Sequence, residues 1–385
     1  MRIAILTDTS LWGGLETHAA ALAQTLDRAG HRLTIYCLDA RSLPLFRKAV
    51  PQSIDVAQLK KPASDGFVAW LRALRDVHVD AVLLEKGTLN TGSFALDCAL
   101  RFKFRRYVTY QQLEPPKLPP KSSRRYLGGL LPGVGLWWYR WRWSGWLRSL
   151  ATRATICVSD SARDMLAADY GFSMRKLVTI RHGIDLDQFR PDPAVRARAR
   201  AAWGVPDDAF VFGTVRRFVH EKGIDVLVEG FAALRKQTTR DVRLVLIGEG
   251  PEQGALQSLA ERLGVADAVV FPGFTQTPWT AYPGLDVFVI PSRIEALGVV
   301  VVEAMASGCF VIASRVGGIP EMVSDASLGI LVPAGDPPAL TAAMQQVLLM
   351  PHDAMTAHLE HARQHVGQHF NLQVQCMRIA ELMTR

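Results

Sequence analysis

The strongest constraint on this chain is a repeated alternation of short apolar runs with turns and helix-period segments. The first series comprises Ile3 to Leu6, Leu33 to Cys37, Ala81 to Leu84, Tyr107 to Tyr110, Thr155 to Val158 and Leu177 to Ile180. A second series, Phe210 to Val215, Val242 to Ile247, Val269 to Phe271, Val287 to Ile290 and Phe310 to Ala313, repeats the pattern after prolines at 191 and 193. Such runs suit strands buried on both faces, and their alternation with helices suits βαβ units around parallel sheets. A chain of 385 residues is too long for one ordinary core. The pattern therefore predicts an α/β chain of two doubly wound domains, with the prolines marking the linker.

Composition sets outer limits. Apolar residues make up 49% of the chain, enough for two cores. Cysteines at 37, 98, 157, 309 and 376 show no C-x-x-C spacing, which predicts reduced thiols in a cytoplasmic protein. The N-terminal apolar run is too short for a signal peptide and no stretch reaches a membrane span, so a soluble or peripheral protein is expected.

Two loops suggest a ligand. Trp12-Gly13-Gly14 follows the first strand and precedes a helix from about Glu16 to Arg28. It does not match G-x-G-x-x-G, and a tight turn alone would explain the glycines. The second loop lies in Pro291 to Gly308, where a helix is expected to open near Leu297 or Gly298. That places Glu295 at the helix mouth and Glu303 about two turns along. Free N–H groups at a helix start favour an anion, whereas carboxylates beside them suit neutral hydroxyls; a nucleotide sugar supplies both. A βα unit in which Glu303 only solvates a helix face would read the same.

Pro-Ser followed by Glu295, Gly298 and Glu303 resembles the E-x7-E signature of the retaining glycosyltransferases of family 4, which have the GT-B fold. The resemblance covers nearly the whole chain and is strongest from about 210 to 335. It implies two Rossmann-like domains facing a cleft: an acceptor-binding domain at 1–188, a nucleotide-sugar-binding domain at 189–368, and a C-terminal crossover helix at 369–385 returning to the first domain. It implies that Arg217 and Lys222, in Arg216-Arg-Phe-Val-His-Glu-Lys-Gly223, neutralise the donor diphosphate. Glu295 would hold the sugar hydroxyls and Glu303 the ribose, so that Arg217, Lys222 and Glu295 form the catalytic set. Donor-binding positions implied with them are Gly13, Gly14, Gly248, Gly273, Phe274, Ala296, Leu297, Gly298 and Val299. Asp185-Leu-Asp187 has the spacing of a metal motif but falls in the family's domain-junction element and reads as structural. No metal, and no cofactor beyond the nucleoside diphosphate sugar as co-substrate, is expected.

The chain departs from the family pattern at three places. His182-Gly183 stands where Asn-Gly is more usual in the family's last N-domain elements. Arg216 stands where the family usually has glycine. Gln111-Gln112 follows the strand after which family members commonly carry a histidine near the donor sugar. Glutamine can hydrogen-bond a hydroxyl but cannot exchange a proton, so Gln111 either fills a positional role or marks an altered activity.

From Lys117 to Arg148 there are seven Lys or Arg and no Asp or Glu, and five of the nine tryptophans fall between 137 and 146. Trp137, Trp138, Arg140, Trp141, Arg142 and Trp143 interleave indole with cations, which suits an anionic membrane surface better than nucleic acid. Helical projection gives no clean amphipathic face, and packing of these tryptophans into a cleft or core competes with that reading. His358, His361, His365 and His369 share a helical face without an acidic or Cys partner and read as solvated.

The expectation is a cytoplasmic enzyme, peripheral on the inner face of the cytoplasmic membrane, that transfers a hexose with retention. Its acceptor would be a glycan or lipid-linked saccharide, in polysaccharide or lipopolysaccharide biosynthesis. A non-catalytic nucleotide-sugar-binding protein, or another GT-B enzyme such as a phosphorylase or epimerase, remains the alternative.

Overall fold

A computed structural model of the chain describes residues 1–8, 14–86, 93–111, 136–295 and 297–384, with backbone alone for 14, 15, 136–142 and 384. The chain divides into two units, Met1–His182 with Leu372–Arg385, and Gly183–Asn371. The C-terminal helix therefore belongs to the first unit.

The first unit holds a parallel sheet of seven strands: β1 (Arg2–Thr7), β2 (Arg32–Cys37), β3 (Asp55–Gln58), β4 (Ala81–Lys86), β5 (Tyr107–Gln111), β6 (Ala154–Cys157) and β7 (Leu177–Thr179). Their spatial order is β3-β2-β1-β4-β5-β6-β7, which reverses direction between β1 and β4. Ile3 of β1 sits in register with Leu33 of β2 and Ala81 of β4. The central strands are buried on both faces, which is why they read as unbroken apolar runs rather than alternating ones. The helices are α1 (Gly14–Arg28), α2 (Leu43–Ala49), α3 (Phe67–Ala73), α4 (Phe94–Lys103), α5 (Leu136–Ala151), α6 (Asp160–Ala168) and the C-terminal helix (Leu372–Thr384), which packs on α1 and β4. Ser93 and Ser159 cap α4 and α6 by accepting the N–H groups of Leu96 and Ala162.

The second half of α5 does resolve into two faces. Gly145, Arg148 and Ser149 point inward, and a Cβ at 145 would lie 2.0 Å from the Tyr170 carbonyl oxygen, so only glycine permits that approach. Trp143, Trp146, Leu147 and Leu150 are exposed, at the i, i+3, i+4, i+7 spacing of one helix face. Arg148 pins the helix by an ion pair to buried Asp97, which also accepts from Lys86 Nζ at 2.9 Å and from the Tyr107 hydroxyl.

The second unit holds six parallel strands: β8 (Phe210–Val215), β9 (Val242–Ile247), β10 (Val269–Gly273), β11 (Val287–Ile290), β12 (Phe310–Ser314) and β13 (Ile330–Val332). The order β10-β9-β8-β11-β12-β13 reverses between β8 and β11. Its helices are α7 (Pro193–Trp203), α8 (Ile224–Arg235), α9 (Gln253–Arg262), α10 (Val300–Ala306), α11 (Ile319–Met322), α12 (Pro337–Leu348) and α13 (His352–His369); the C-terminal helix is α14. Phe212, Leu244, Leu246, Val287, Val289 and Ile312 join Leu227, Phe231 and Met344 from the helices in one buried cluster. Each such side chain contributes about 1.5–3 kcal/mol by leaving water. Of the α13 histidines, His361 and His369 are exposed as expected, whereas His358 is half-buried and stacks on Phe310 with ring centroids 4.1 Å apart.

Candidate functional site

In a doubly wound sheet the crevice beyond the carboxyl ends of the strands, where strand order reverses, is where a ligand fits. In the second unit that point lies between β8 and β11. The residues after β8 are Arg216 and Arg217, and those after β11 lead to Glu295. Two backbone devices bring these loops together. Gly223 adopts φ +63° and follows Lys222 directly; a Cβ there would meet the Pro291 carbonyl oxygen at 2.1 Å. The Glu221 carbonyl accepts the N–H groups of Arg293 and Ile294 at 2.9 and 3.2 Å, and Arg293 forks onto Asp225 at 2.8 and 2.6 Å.

The result is a charged cluster. Glu295 Oε2 accepts from Lys222 Nζ at 3.0 Å, from Ser292 Oγ at 3.3 Å and from Arg216 Nη2. Glu295 Oε1 accepts nothing among the described residues. Burial pushes the Glu295 carboxyl up, but Arg216 and Lys222 outweigh it and hold the group below the usual carboxylate range. Burial, then Arg216, lowers the Lys222 ammonium, against the pull of Glu295.

Glu303 lies in the first turn of α10, not two turns along. The expected helix start at 297 or 298 gives way to Val300, because Gly298 takes φ +77°, a left-handed conformation that cannot continue a right-handed helix. Glu303 Oε2 accepts the Tyr282 hydroxyl at 2.7 Å. Burial raises its carboxyl to about 7, with Tyr282 and Arg216 pulling the other way.

Of the remaining positions singled out above, Gly248 donates its N–H to the Gly273 carbonyl at 2.9 Å, tying the loops after β9 and β10 together. A Cβ on Gly248 would lie 1.8 Å from the Arg216 carbonyl oxygen. Phe274 is exposed, Leu297 buried and Val299 half-buried. Arg217 is exposed and makes none of the contacts to Glu295, though its charge reaches Lys222. Gln111 ends β5 and is buried. Gly13 and Ala296 lie outside the described residues, as do the side chains of Trp137, Trp138, Arg140, Trp141 and Arg142; Gly14 is the first residue of α1, and Trp143 is 64% exposed. Asp185 accepts the Asp187 N–H at 3.0 Å, a turn-forming contact.

Sequence reading missed Arg216 and Tyr282, and also a buried group at the carboxyl edge of the first unit's sheet. There His18 Nδ1 lies 3.5 Å from Glu85 Oε1, the His18 and His182 rings stack at 4.3 Å, and Tyr110 meets both edgewise. Burial lowers His18 to about 4, so at neutral pH its contact with Glu85 is not an ion pair. Burial, then Glu16, raises Glu85 well above the ordinary range. The one available signal was the Glu85-Lys86 pair closing an apolar run, since charge on a buried strand is rare.

Two doubly wound parallel sheets in one chain, the second with cations and carboxylates gathered at its switch point, define the GT-B class of fold. A family model described as Glycosyltransferase Family 4 matches residues 12–188, and one described as Glycosyl transferases group 1 matches residues 195–365. The chain belongs to the family 4 glycosyltransferases. It is 37% identical over 206 residues to a GDP-mannose-dependent alpha-(1-6)-phosphatidylinositol monomannoside mannosyltransferase of Mycolicibacterium smegmatis, covering 51% of this chain and 53% of that one. It is also 37% identical over 203 residues to a D-inositol 3-phosphate glycosyltransferase of Saccharomonospora viridis, covering 50% and 47%. The chain thus spans about half the length of the curated relatives it matches. Among solved structures, a glycosyltransferase from Rickettsia africae superposes with TM-score 0.79 at 19% identity over 99% of this chain and 97% of that one. Anabaena HepE in complex with UDP gives 0.78 at 20% identity over the full length of both.

Proposed function

We propose that the chain is a hexosyltransferase that moves a sugar from a nucleoside diphosphate sugar to a glycan or lipid-linked acceptor, with retention of configuration. The observation that carries this reading is the Arg216–Glu295–Lys222 cluster at the β8/β11 switch point. Lys222 and Arg217 would take up charge developing on the leaving diphosphate, which removes the need for a metal there. Glu295, kept ionised and with Oε1 open, is suited to accept sugar hydroxyls, and Glu303 to accept from the ribose. Retention rests on the E-x7-E resemblance. No cofactor other than the co-substrate enters this scheme.

The acceptor side rests on α5. Its exposed Trp143, Trp146, Leu147 and Leu150, beside a segment rich in Lys and Arg, fit an anionic bilayer surface, where each cation contributes about 1 kcal/mol. No helix among the described residues is long and apolar enough to cross a membrane. A mannosyltransferase relative is named for a phosphatidylinositol monomannoside, which supports a lipid-borne acceptor. The inner face of the cytoplasmic membrane and a role in cell-envelope polysaccharide or lipopolysaccharide synthesis are part of the same proposal and rest on the basic, tryptophan-rich segment. Replacing Trp143 and Trp146 by Ala should release the protein from anionic liposomes; unchanged co-sedimentation would remove the membrane from this scheme. A second reading, nucleotide-sugar binding without transfer, is favoured by Gln111 in place of the family's histidine.

The test is a panel of nucleotide sugars scored by thermal shift and by slow donor hydrolysis, for the native chain and for Glu295→Ala. One donor that stabilises the chain and is hydrolysed only with Glu295 present supports transfer. Binding without hydrolysis or transfer supports the second reading, and no binding overturns both.

A further inference from the structure

Arg216 is buried, its side chain 5% exposed, yet only half of its fork is used. Nη2 donates to Glu295 Oε2, while Nη1 is buried with no hydrogen-bond partner among the described residues. A guanidinium facing a carboxylate ordinarily spends both prongs on its two oxygens. Here Oε2 already takes Lys222 and Ser292, Oε1 takes none, and the second prong stays unpaired. A buried cationic N–H without an acceptor costs stability, and native chains keep one where something else supplies the acceptor. The backbone of Arg216 is fixed as well: its N–H donates to the Ile247 carbonyl at 2.8 Å, and Gly248 packs against its carbonyl so closely that no other residue fits.

Resting on the donor-site reading above, we propose that Arg216 is a further donor-binding residue, whose Nη1 takes a phosphoryl oxygen of the nucleoside diphosphate while Nη2 keeps Glu295 in place. The side chain joins the leaving group to the carboxylate that would hold the transferred sugar. Lysine has donors for both partners but lacks the fixed planar fork that aims one at each, so it would serve them less well.

The experiment measures UDP, GDP and inorganic pyrophosphate binding by calorimetry at two salt concentrations. It uses the native chain, Arg216→Met, Arg216→Lys, Glu295→Gln and the Arg216→Met/Glu295→Gln double variant. A lost charge-assisted hydrogen bond predicts about ten- to hundredfold weaker binding of pyrophosphate and of the preferred nucleotide in Arg216→Met, with a shallower salt dependence. Arg216→Lys should fall between native and Met. The deciding comparison is made in the Glu295→Gln background: if Arg216 reaches the phosphate, adding Arg216→Met still weakens pyrophosphate binding there. If the double variant binds as Glu295→Gln alone does, Arg216 serves only Glu295 and the inference is overturned. If the native chain binds neither nucleotide nor pyrophosphate, the donor-site reading itself falls; if it binds and Arg216→Met loses nothing, only this inference falls.

Discussion

Lowering the pH from about 8 to about 6 should weaken nucleotide-sugar binding about tenfold, through Glu303. Burial holds its carboxyl at about 7, so the accepting, ionised form on which the proposed ribose contact depends is about nine-tenths populated at pH 8 and about one-tenth at pH 6. Intact UDP-glucose and GDP-mannose are the right probes for calorimetry, because their diphosphate diesters do not titrate in this range, whereas a terminal phosphate does near pH 6. Glu303→Gln should bind weakly with no slope. The same ionisation acts on folding with the opposite sign. The folded value lies above the unfolded value of 4.5, so the stability this group contributes is full below about pH 4.5 and is lost as pH rises through about 7. The full swing is about 3 kcal/mol, less whatever its partial exposure screens. Between these limits ligand-free stability falls with pH while donor affinity rises, a pairing that a general pH effect would not produce. Equal affinity at both pH values, or a slope that survives Glu303→Gln, would refute the reasoning.

Three further outcomes follow from other parts of the molecule. Gly223→Ala should lower the melting temperature of the second unit by the equivalent of about 2 kcal/mol or more, since φ +63° and a Cβ 2.1 Å from the Pro291 carbonyl are both prohibitive; a native-like melt would contradict this. Asp97→Asn should cost about 3–5 kcal/mol in denaturant unfolding of the first unit, because Lys86 and Arg148 would be left buried without their counter-charge. His18, lowered from 6.5 to about 4, must take up a proton in the unfolded state first. The first unit should therefore lose about 3 kcal/mol as pH falls from about 6.5 to about 4, a slope that His18→Leu should reduce in calorimetry.

What the sequence made legible follows the physics of burial. Strands in the middle of a parallel sheet are apolar throughout, so β1, β4, β8, β9 and β11 stood out as runs. β3, with Asp55-Val-Ala-Gln58, and the three-residue β13 are edge strands with one neighbour each, and they carry too little pattern to be seen. That Lys222 and Glu295 share a site was legible only through the resemblance to family 4, since neither loop alone announces the other. Which of two consecutive arginines turns inward could not, since that depends on the path of the chain past Gly248 and on the Glu295 carboxylate, 79 residues away. The start of α10 was misplaced because glycine in a helix-period segment does not announce its φ. The His18–Glu85–His182 group draws on α1, β4 and the segment after β7, and no local pattern links them.

The two carboxylates of the E-x7-E pair are chemically alike and are pushed apart by their surroundings. Glu295 sits between two cations and stays ionised across the working range; Glu303, with a tyrosine hydroxyl as its partner, is poised near neutrality. Environments that separate two titratable groups in this way assign them different tasks. A permanently charged Glu295 can respond to positive charge developing at a reacting sugar carbon and can hold hydroxyls at any pH. A Glu303 near neutrality ionises readily when hydroxyl donors arrive to stabilise the anion, so its charge state is coupled to occupancy. Arg216 touches Glu295 and, after burial and Tyr282, is the weakest influence on the carboxyl of Glu303, lowering it, so its charge acts on both carboxylates. Removing its charge should therefore raise the pH midpoint of donor binding as well as weaken it, and a midpoint that does not move in Arg216→Met would show that the two carboxylates act independently.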